Sequence, residues 1–214
     1  MKRNEDICRL GITGGIGSGK TCVSKVLERF GMTVFNLDVV AKTIMSTDPQ
    51  VKFEIIQSFG EQSYHKGLPN TEYLAKMAFK EGRVEQLNHI VHPRVYEKIA
   101  DEEATLVSKG IHIVAIESAL MLKNGRPNHF SVIALIEAKK HIRKERIKAR
   151  NNMPDSDLEA RFNVQETFFN KDFLVPQRDV ILTNDTTLKE LETKVEVLVK
   201  HVKNVCDSLP RSLG

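Results

Sequence analysis

Short apolar runs alternate along the chain with longer segments in which apolar residues recur at helical spacing. A continuous apolar run is typical of a strand buried in a parallel sheet, whereas recurrence every three or four positions is typical of a helix. The apolar runs predict five strands, at residues 7–13, 32–37, 111–116, 132–136 and 180–182. The pattern therefore predicts an α/β fold in which helices flank a five-stranded parallel sheet.

The segment from residue 39 to residue 109 lacks the strand pattern and carries helical periodicity on both sides of a polar loop at 62–70. Its length of about 70 residues exceeds one crossover helix between parallel strands. We therefore predict an inserted helical subdomain at 39–109, which would hold an acceptor substrate. The core would then comprise residues 1–38 and 110–208, followed by a tail at 209–214.

Two prolines mark boundaries inside this segment. Asp48-Pro49 predicts a helix start, because aspartate is a favoured N-cap and proline suits the first helical position. His92-Pro93 predicts a break between two helices, because the residue before a proline is disfavoured in the α region.

One stretch matches the phosphate-binding pattern G-x-x-x-x-G-K-[ST] at every position: Gly14-Gly15-Ile16-Gly17-Ser18-Gly19-Lys20-Thr21. Glycines allow the backbone N–H groups to approach an anion, the lysine would reach the β- and γ-phosphates, and the threonine hydroxyl would hold Mg²⁺. The predicted strand before this stretch and the helix after it are the context that the motif requires. The alternative is a glycine-rich turn that binds no ligand.

Two acidic residues follow predicted strands. Asp38 comes after the second strand, and Glu117 after the third. Ligands of open α/β sheets lie outside the carboxyl ends of the strands, so Asp38 could orient or deprotonate an attacking hydroxyl, and Glu117 could hold Mg²⁺ through water. Alternatively, Asp38 caps a helix beginning at Val39, and Glu117 is a helix cap or a surface acid.

A basic stretch follows the fourth strand. Arg143, Arg146 and Arg150 share one helical face there, and guanidinium groups suit phosphate oxygens. A second short helix is predicted from the capping box Ser156-x-x-Glu159, after a turn that begins at Asn151. We predict that residues 143–168 form a mobile helical lid; the alternative is a solvated charged face.

Composition narrows the function classes. The net charge of +4 suits anionic small molecules but is too small to argue for nucleic acid. Cys8, Cys22 and Cys206 are far apart in sequence and lack metal-ligand spacing, so we expect reduced thiols of a cytoplasmic protein. No apolar stretch approaches the roughly 20 residues that span a bilayer, so we expect no membrane association.

These features together resemble the dephospho-coenzyme A kinase family over nearly the whole chain. The resemblance rests on the loop from Gly11 to Lys20, on Asp38, on His92-Pro93, and on the lid pattern formed by Arg146, Arg150, Arg161 and Gln165. Departures from the family pattern include Asn36 and Asn151 in place of aspartates, and Lys123 in place of a glutamate.

The resemblance implies a P-loop kinase fold and ATP-dependent phosphorylation of the ribose 3′-hydroxyl of dephospho-coenzyme A, the last step of coenzyme A biosynthesis. It implies ATP and Mg²⁺ as cofactors, a small-molecule acceptor, no nucleic acid partner, and a monomer or weak homo-oligomer. The implied catalytic residues are Asp38, Lys20, Arg146 and Arg150. The implied nucleotide-binding residues are Gly15, Ile16, Gly17, Ser18, Gly19, Lys20, Thr21, Cys22 and Asn184. The acceptor would be bound by Asp38, His92 and Arg94, and the metal by Thr21 and Glu117.

Two other functions compete with this one. A kinase for another acceptor, such as a nucleoside monophosphate, would share the loop and the lid. A nucleotide-switched protein that holds nucleic acid on its basic helix would instead bind with an affinity that falls steeply with salt.

Overall fold

The computed structural model describes residues 6–80, 82–150, 154–166 and 168–208. The strands in these residues are β1 (Cys8–Thr13), β2 (Thr33–Asn36), β3 (Tyr64–His65), β4 (Leu68–Pro69), β5 (Ile113–Glu117), β6 (Val132–Glu137) and β7 (Val180–Thr183). The α-helices are α1 (Lys20–Arg29), α2 (Leu37–Thr47), α3 (Pro49–Phe59), α4 (Thr71–Ala75), α5 (Val84–Ser108), α6 (Lys140–Arg150), α7 (Asp155–Glu166) and α8 (Leu188–Ser208). The predicted turn at 151–153 and the predicted tail at 209–214 lie outside the described residues.

The main sheet has the strand order β2-β5-β1-β6-β7. β1 pairs in parallel with β5 and β6, and β6 pairs in parallel with β7, which confirms the predicted parallel sheet. β1 is buried along its whole length because it is the central strand, with a neighbour on either side. The segment that leaves its carboxyl end therefore begins at the middle of the sheet edge.

The apolar faces of α1 and α8 pack with the sheet in one core. In α1 these are Val23, Val26 and Leu27. The helical spacing also predicts Phe30 on this face, but Phe30 follows the last residue of α1 and is exposed. In α8, Leu191, Val195, Leu198, Val199 and Val202 occupy the same cluster. A Thr187 hydroxyl accepts a hydrogen bond from the Glu190 N–H at 3.3 Å, and this contact caps the start of α8.

A disulfide joins Cys8 at the start of β1 to Cys206 near the end of α8. The expectation of reduced thiols is wrong for this pair. The two cysteines are separated by 198 residues, but the packing of α8 against the sheet brings their Cα atoms within 5.8 Å. Sequence spacing does not record a proximity that depends on the tertiary fold. Cys22 is a free thiol.

A buried ion pair fixes the loop between β5 and β6 to the start of β7. Arg126 Nε and Nη2 donate to the two carboxylate oxygens of Asp179 at 2.7 and 2.9 Å. The same carboxylate accepts from the backbone N–H groups of Ile133 and Val175, both at 2.8 Å. Burial alone would raise the pKa of Asp179, but these hydrogen bonds and the Arg126 charge outweigh it and lower the pKa.

The chain divides into two compact units. One unit is Asn36–Thr105, which holds α2, α3, α4, nearly all of α5 and the β3–β4 hairpin. The other unit consists of the described residues on either side of that segment and contains almost all of the main sheet.

The β3–β4 hairpin was not predicted, because two-residue strands produce no detectable alternation in the sequence. Its turn is made by Lys66 and Gly67, whose φ angles of 49° and 82° are both positive. Two consecutive positive φ angles are typical of the tight turns that join antiparallel strands.

The predicted break at His92-Pro93 is wrong. α5 runs without interruption from Val84 to Ser108 with Pro93 inside it. Proline removes one backbone hydrogen bond, but the helix continues because Val91, Val95 and Ile99 bury the same face before and after it. By contrast, Asp48 caps α3 as predicted, accepting hydrogen bonds from the backbone N–H groups of Gln50 and Val51.

Within the residues that the structure describes, no helix is both long enough and apolar enough to cross a bilayer.

Candidate active site

The predicted phosphate loop lies between β1 and α1, in the context that the motif requires. Gly17 and Gly19 have φ angles of 78° and 97°, a region that side chains disfavour. There is also no room for a side chain: a Cβ on Gly17 would lie 2.7 Å from the Arg143 carbonyl oxygen, and one on Gly19 would collide with Asn184. The glycines therefore serve both the backbone conformation and the close approach of neighbouring groups, which are α6 at Gly17 and Asn184 at Gly19.

Lys20 is the first residue of α1 and lies over the loop. Its ammonium donates to the carbonyl oxygens of Gly14 and Gly15 at 2.7 and 3.2 Å. The positive charge is therefore held where the loop and the N-terminus of α1 provide backbone N–H groups, as an anion site requires.

Glu117 ends β5 and points at α1. It is buried, and its carboxylate accepts from Ser24 Oγ at 2.8 Å and from Thr21 Oγ1 at 3.3 Å. These hydrogen bonds allow a charged residue to occupy the last position of a buried strand, so β5 includes Glu117 instead of ending before it. The alternatives of a surface acid and a helix cap are both wrong.

Ser24 was not singled out in the sequence. Its position three residues after Thr21 places both hydroxyls on one face of α1, and this spacing is the signal that could have identified it.

The residues fit a divalent cation. Thr21 and Glu117 bring a hydroxyl and a carboxylate oxygen to within 3.3 Å of each other beside the loop, and oxygen donors are the ligands that Mg²⁺ prefers. Among the described residues, no group of three or more His, Cys, Asp or Glu side chains is arranged so that it could hold a metal ion. A metal here would therefore depend on Thr21 and Glu117 together with substrate and water.

Asn184, just after β7, also reaches the loop. Its amide Nδ2 donates to the Ser18 carbonyl oxygen at 2.9 Å, and the side chain is buried. The Arg146 guanidinium lies 3.5 Å from both the Ser18 carbonyl oxygen and Asn184 Oδ1. Ser18 Oγ itself is buried and has no hydrogen-bond partner within the part of the chain that the structure describes.

α6 carries the arginines that share a face. Arg143 and Arg146 both reach the backbone of the loop, Arg143 through a hydrogen bond from its Nε to the Ile16 carbonyl oxygen at 2.9 Å. Arg150 is exposed at the last position of the helix. The helix that the basic stretch predicts is confirmed, and its arginine face lies against the loop at two of three positions.

α7 begins at Asp155, so the predicted capping box at Ser156 is wrong. Ser156 lies inside the first turn, and Glu159 forms ion pairs with Lys140 and Lys144 of α6 instead of reaching back to a cap. The hydrogen bonds from these two lysines lower the pKa of the Glu159 carboxyl.

A cavity of about 300 Å³ opens beside the loop, at the carboxyl ends of β6 and β7. Its volume is at the lower end of the range for small-ligand sites, and its position agrees with the rule for open α/β sheets. The residues that line it are Gly15, Ser18, Leu135, Ile136, Glu137, Ala138, Lys139, Arg143, Phe169, Thr183 and Asp185.

The predicted acceptor residues lie in the other compact unit. Asp38 is exposed in the first turn of α2, and the cap of this helix is Asn36, which accepts from the Val39 N–H at 3.1 Å. The capping role considered for Asp38 is therefore wrong, and its carboxylate is not needed to start the helix.

His92 and Arg94 both lie on α5. Partial burial lowers the pKa of His92, and its ring packs on that of Tyr96 at a centroid distance of 5.7 Å. Arg94 pairs with Glu97 at 2.7 Å and lies 4.0 Å from Asp48. A role of either residue toward an acceptor stays a prediction.

Comparisons with known proteins agree on one family. The family model for dephospho-CoA kinase matches residues 8–190. A dephospho-CoA kinase of Salinibacter ruber is 36% identical over 187 residues, covering 86% of this chain and 92% of the relative. One of Thermobifida fusca is 30% identical over 189 residues, covering 87% and 92%.

Solved structures show the same fold. A crystal structure from Thermus thermophilus superimposes with a TM-score of 0.74 at 25% identity, covering 93% of this chain and 98% of that one. A dephospho-CoA kinase from Campylobacter jejuni, at 16% identity, superimposes with a TM-score of 0.59, covering 92% and 97%.

Proposed function

Because the chain belongs to the dephospho-CoA kinase family, we propose that it transfers the γ-phosphoryl group of ATP to the ribose 3′-hydroxyl of dephospho-coenzyme A. The products would be ADP and coenzyme A, which makes this the last step of coenzyme A biosynthesis. The observation that carries the proposal is the phosphate loop with Lys20 above it and the Thr21–Glu117 pair beside it, in a chain that matches the family model over residues 8–190.

The donor side is formed by the loop. Backbone N–H groups of the loop and of the first turn of α1 would bind the phosphates of ATP, and Lys20 would exchange its contacts with the Gly14 and Gly15 carbonyl oxygens for phosphate oxygens. Thr21 and Glu117 would hold Mg²⁺, which neutralises charge on the phosphates when bound.

Arg146 and Arg150 are the residues of the predicted lid that we propose to take part in catalysis. Arg146 already lies beside the loop, and its guanidinium would stabilise charge on the transferring phosphoryl group. Asn184 holds the loop at Ser18 and would support the nucleotide from the end of β7.

Asp38 is the proposed acceptor-side carboxylate. It would orient the 3′-hydroxyl and accept its proton as the oxygen attacks the γ-phosphorus and ADP leaves. Two observations support this role: Asp38 follows β2 by two residues, and Asn36 supplies the helix cap in its place. His92 and Arg94 are proposed to bind the acceptor. That the enzyme is cytoplasmic, and a monomer or weak homo-oligomer, stays a prediction.

The experiment measures ADP release with dephospho-coenzyme A and with a panel of nucleoside monophosphates and other alcohols. We expect dephospho-coenzyme A to be the best acceptor and Asp38→Asn to lower kcat by at least about a hundredfold. Asp101→Asn, an exposed aspartate on α5, is the matched control and should keep normal turnover. A nucleoside monophosphate that outperforms dephospho-coenzyme A would overturn the proposed acceptor, and near-normal turnover of Asp38→Asn would overturn the role of Asp38.

A further inference from the structure

Ile16, in the middle of the phosphate loop, has both of its backbone polar groups bound by distant helices. Its N–H donates to Gln165 Oε1 of α7 at 2.6 Å, across 149 positions of sequence. Its carbonyl oxygen accepts from Arg143 Nε of α6 at 2.9 Å. The two bonds lie on consecutive peptide units, so they fix the orientation of both peptide planes at this point of the loop.

The side chain of Ile16 is bound by the same two helices. It packs against a small apolar cluster formed by Ile147 of α6 and by Leu158 and Phe162 of α7. The Arg143 guanidinium carbon lies 4.4 Å from the centroid of the Phe162 ring. Ile16 is thus held through its N–H, its carbonyl group and its side chain by one pair of helices.

α6 and α7 are joined to each other by charge as well as by this cluster. Lys140 and Lys144 pair with Glu159, and Lys148 pairs with Asp155. Arg146 lies one turn beyond Arg143 on α6. The contacts that hold the two helices on Ile16 therefore also set the distance of Arg146 from the loop.

We propose that Gln165 is a positioning residue for phosphoryl transfer. Its side-chain oxygen accepts a hydrogen bond from the Ile16 N–H. This bond fixes the position of the α6–α7 pair on the loop and thereby the position of Arg146. The inference rests on the proposed kinase function. A merely structural glutamine would contribute to the free energy of unfolding without affecting kcat selectively, and the two roles are therefore separable by kinetics.

The experiment compares Gln165→Ala with Asn163→Ala, an exposed side chain on the same helix. Alanine is the best helix former, so both variants should fold, which far-ultraviolet circular dichroism checks. For Gln165→Ala we expect kcat to fall about tenfold, the effect of losing one good hydrogen bond in the reacting complex, with KM for the acceptor changed by less than about twofold. Asn163→Ala should match the wild type.

Gln165→Met tests the chemistry of the contact, because it keeps the length of the side chain and stays uncharged but replaces the amide oxygen by a thioether, which is only a weak acceptor. We expect its kcat to fall by about the same factor as in Gln165→Ala. Amide hydrogen exchange of a peptide that contains Ile16 gives a readout that needs no substrate: exchange should be faster in Gln165→Ala than in Asn163→Ala.

Normal kcat in Gln165→Ala would overturn the proposal, and so would normal kcat in Gln165→Met. If the wild-type chain transfers no phosphoryl group to dephospho-coenzyme A, the proposed function fails. The hydrogen-exchange measurement then still tests whether Gln165 contacts the loop, independently of any kinase activity. Unchanged exchange at Ile16 in Gln165→Ala would show that Gln165 does not hold the loop.

Discussion

At the scale of single residues, the site depends on charged groups whose positions are set by hydrogen bonds within the protein. Lys20 is held by two carbonyl oxygens, and Glu117 by two hydroxyls of one helix face. A charge that is already oriented loses little freedom when a substrate arrives, and electrostatic stabilisation is therefore strong at such positions. Each of these residues can be tested by removing its charge while its neighbours remain in place.

Lys20→Ala is expected to lower turnover by on the order of a hundredfold or more, because the charge that would stabilise the β- and γ-phosphates is lost. Steady-state kinetics at saturating ATP measures the effect. Lys25→Ala, an exposed lysine on the same helix, is the control and should keep normal turnover. A Lys20→Ala variant with normal kcat would contradict the proposed donor site.

Asp179→Asn is expected to lower the free energy of unfolding by about 3–5 kcal/mol at neutral pH, because Arg126 would lose its buried partner charge. The pKa of Asp179 is lowered in the folded state, so the carboxylate stabilises the fold above its ordinary pKa. This stabilisation is lost as the pH falls through the folded-state pKa.

Urea unfolding at a series of pH values tests the prediction. The difference between the wild type and Asp179→Asn should be largest at neutral pH and should shrink below about pH 4. Asp101→Asn, whose side chain is exposed, should show no such difference. A difference in the free energy of unfolding between the wild type and Asp179→Asn that stays constant across this pH range would contradict the proposed role of the charge.

At the scale of elements, α8 is attached to the sheet by apolar packing and by one covalent bond. Its buried residues belong to the same cluster as those of α1 and β1, and Cys206 joins it to Cys8. The disulfide closes a loop of 198 positions, and the loss of loop-closure entropy in the unfolded chain grows with loop length.

Cys206→Ser is expected to lower the free energy of unfolding by about 2–5 kcal/mol in the absence of reductant. The wild type in excess dithiothreitol should unfold at the same denaturant concentration as the variant, because both then lack the bond. Cys22→Ser, which removes the free thiol, is the control and should keep the response of the wild type to dithiothreitol. Equal stability of the wild type with and without reductant would contradict the prediction.

At the scale of the whole molecule, the sequence predicted the parts of the fold that depend on local pattern. The apolar runs located the strands of the main sheet, and the loop motif located its phosphate site, because burial on both faces and glycine-rich turns both leave a mark in consecutive residues. The family match to dephospho-CoA kinase agrees with the resemblance found in the same motifs.

Three contacts that the sequence did not predict join distant parts of the chain. Cys8 and Cys206, Glu117 and Ser24, and Gln165 and Ile16 are neighbours only after folding. The continuous helix through Pro93 is a second kind of error, because packing on both sides of the proline outweighed its local preference. Local pattern predicts elements, whereas these contacts depend on how the elements pack.

The Cys8–Cys206 bond makes residues 8–206 a covalent ring. A protease that cuts once inside the ring would open it without releasing a fragment. On a gel run without reductant the cut molecule should keep nearly the mass of the intact chain, and reductant should separate it into two pieces. After a single cut between the cysteines, the two fragments would therefore stay joined by the disulfide.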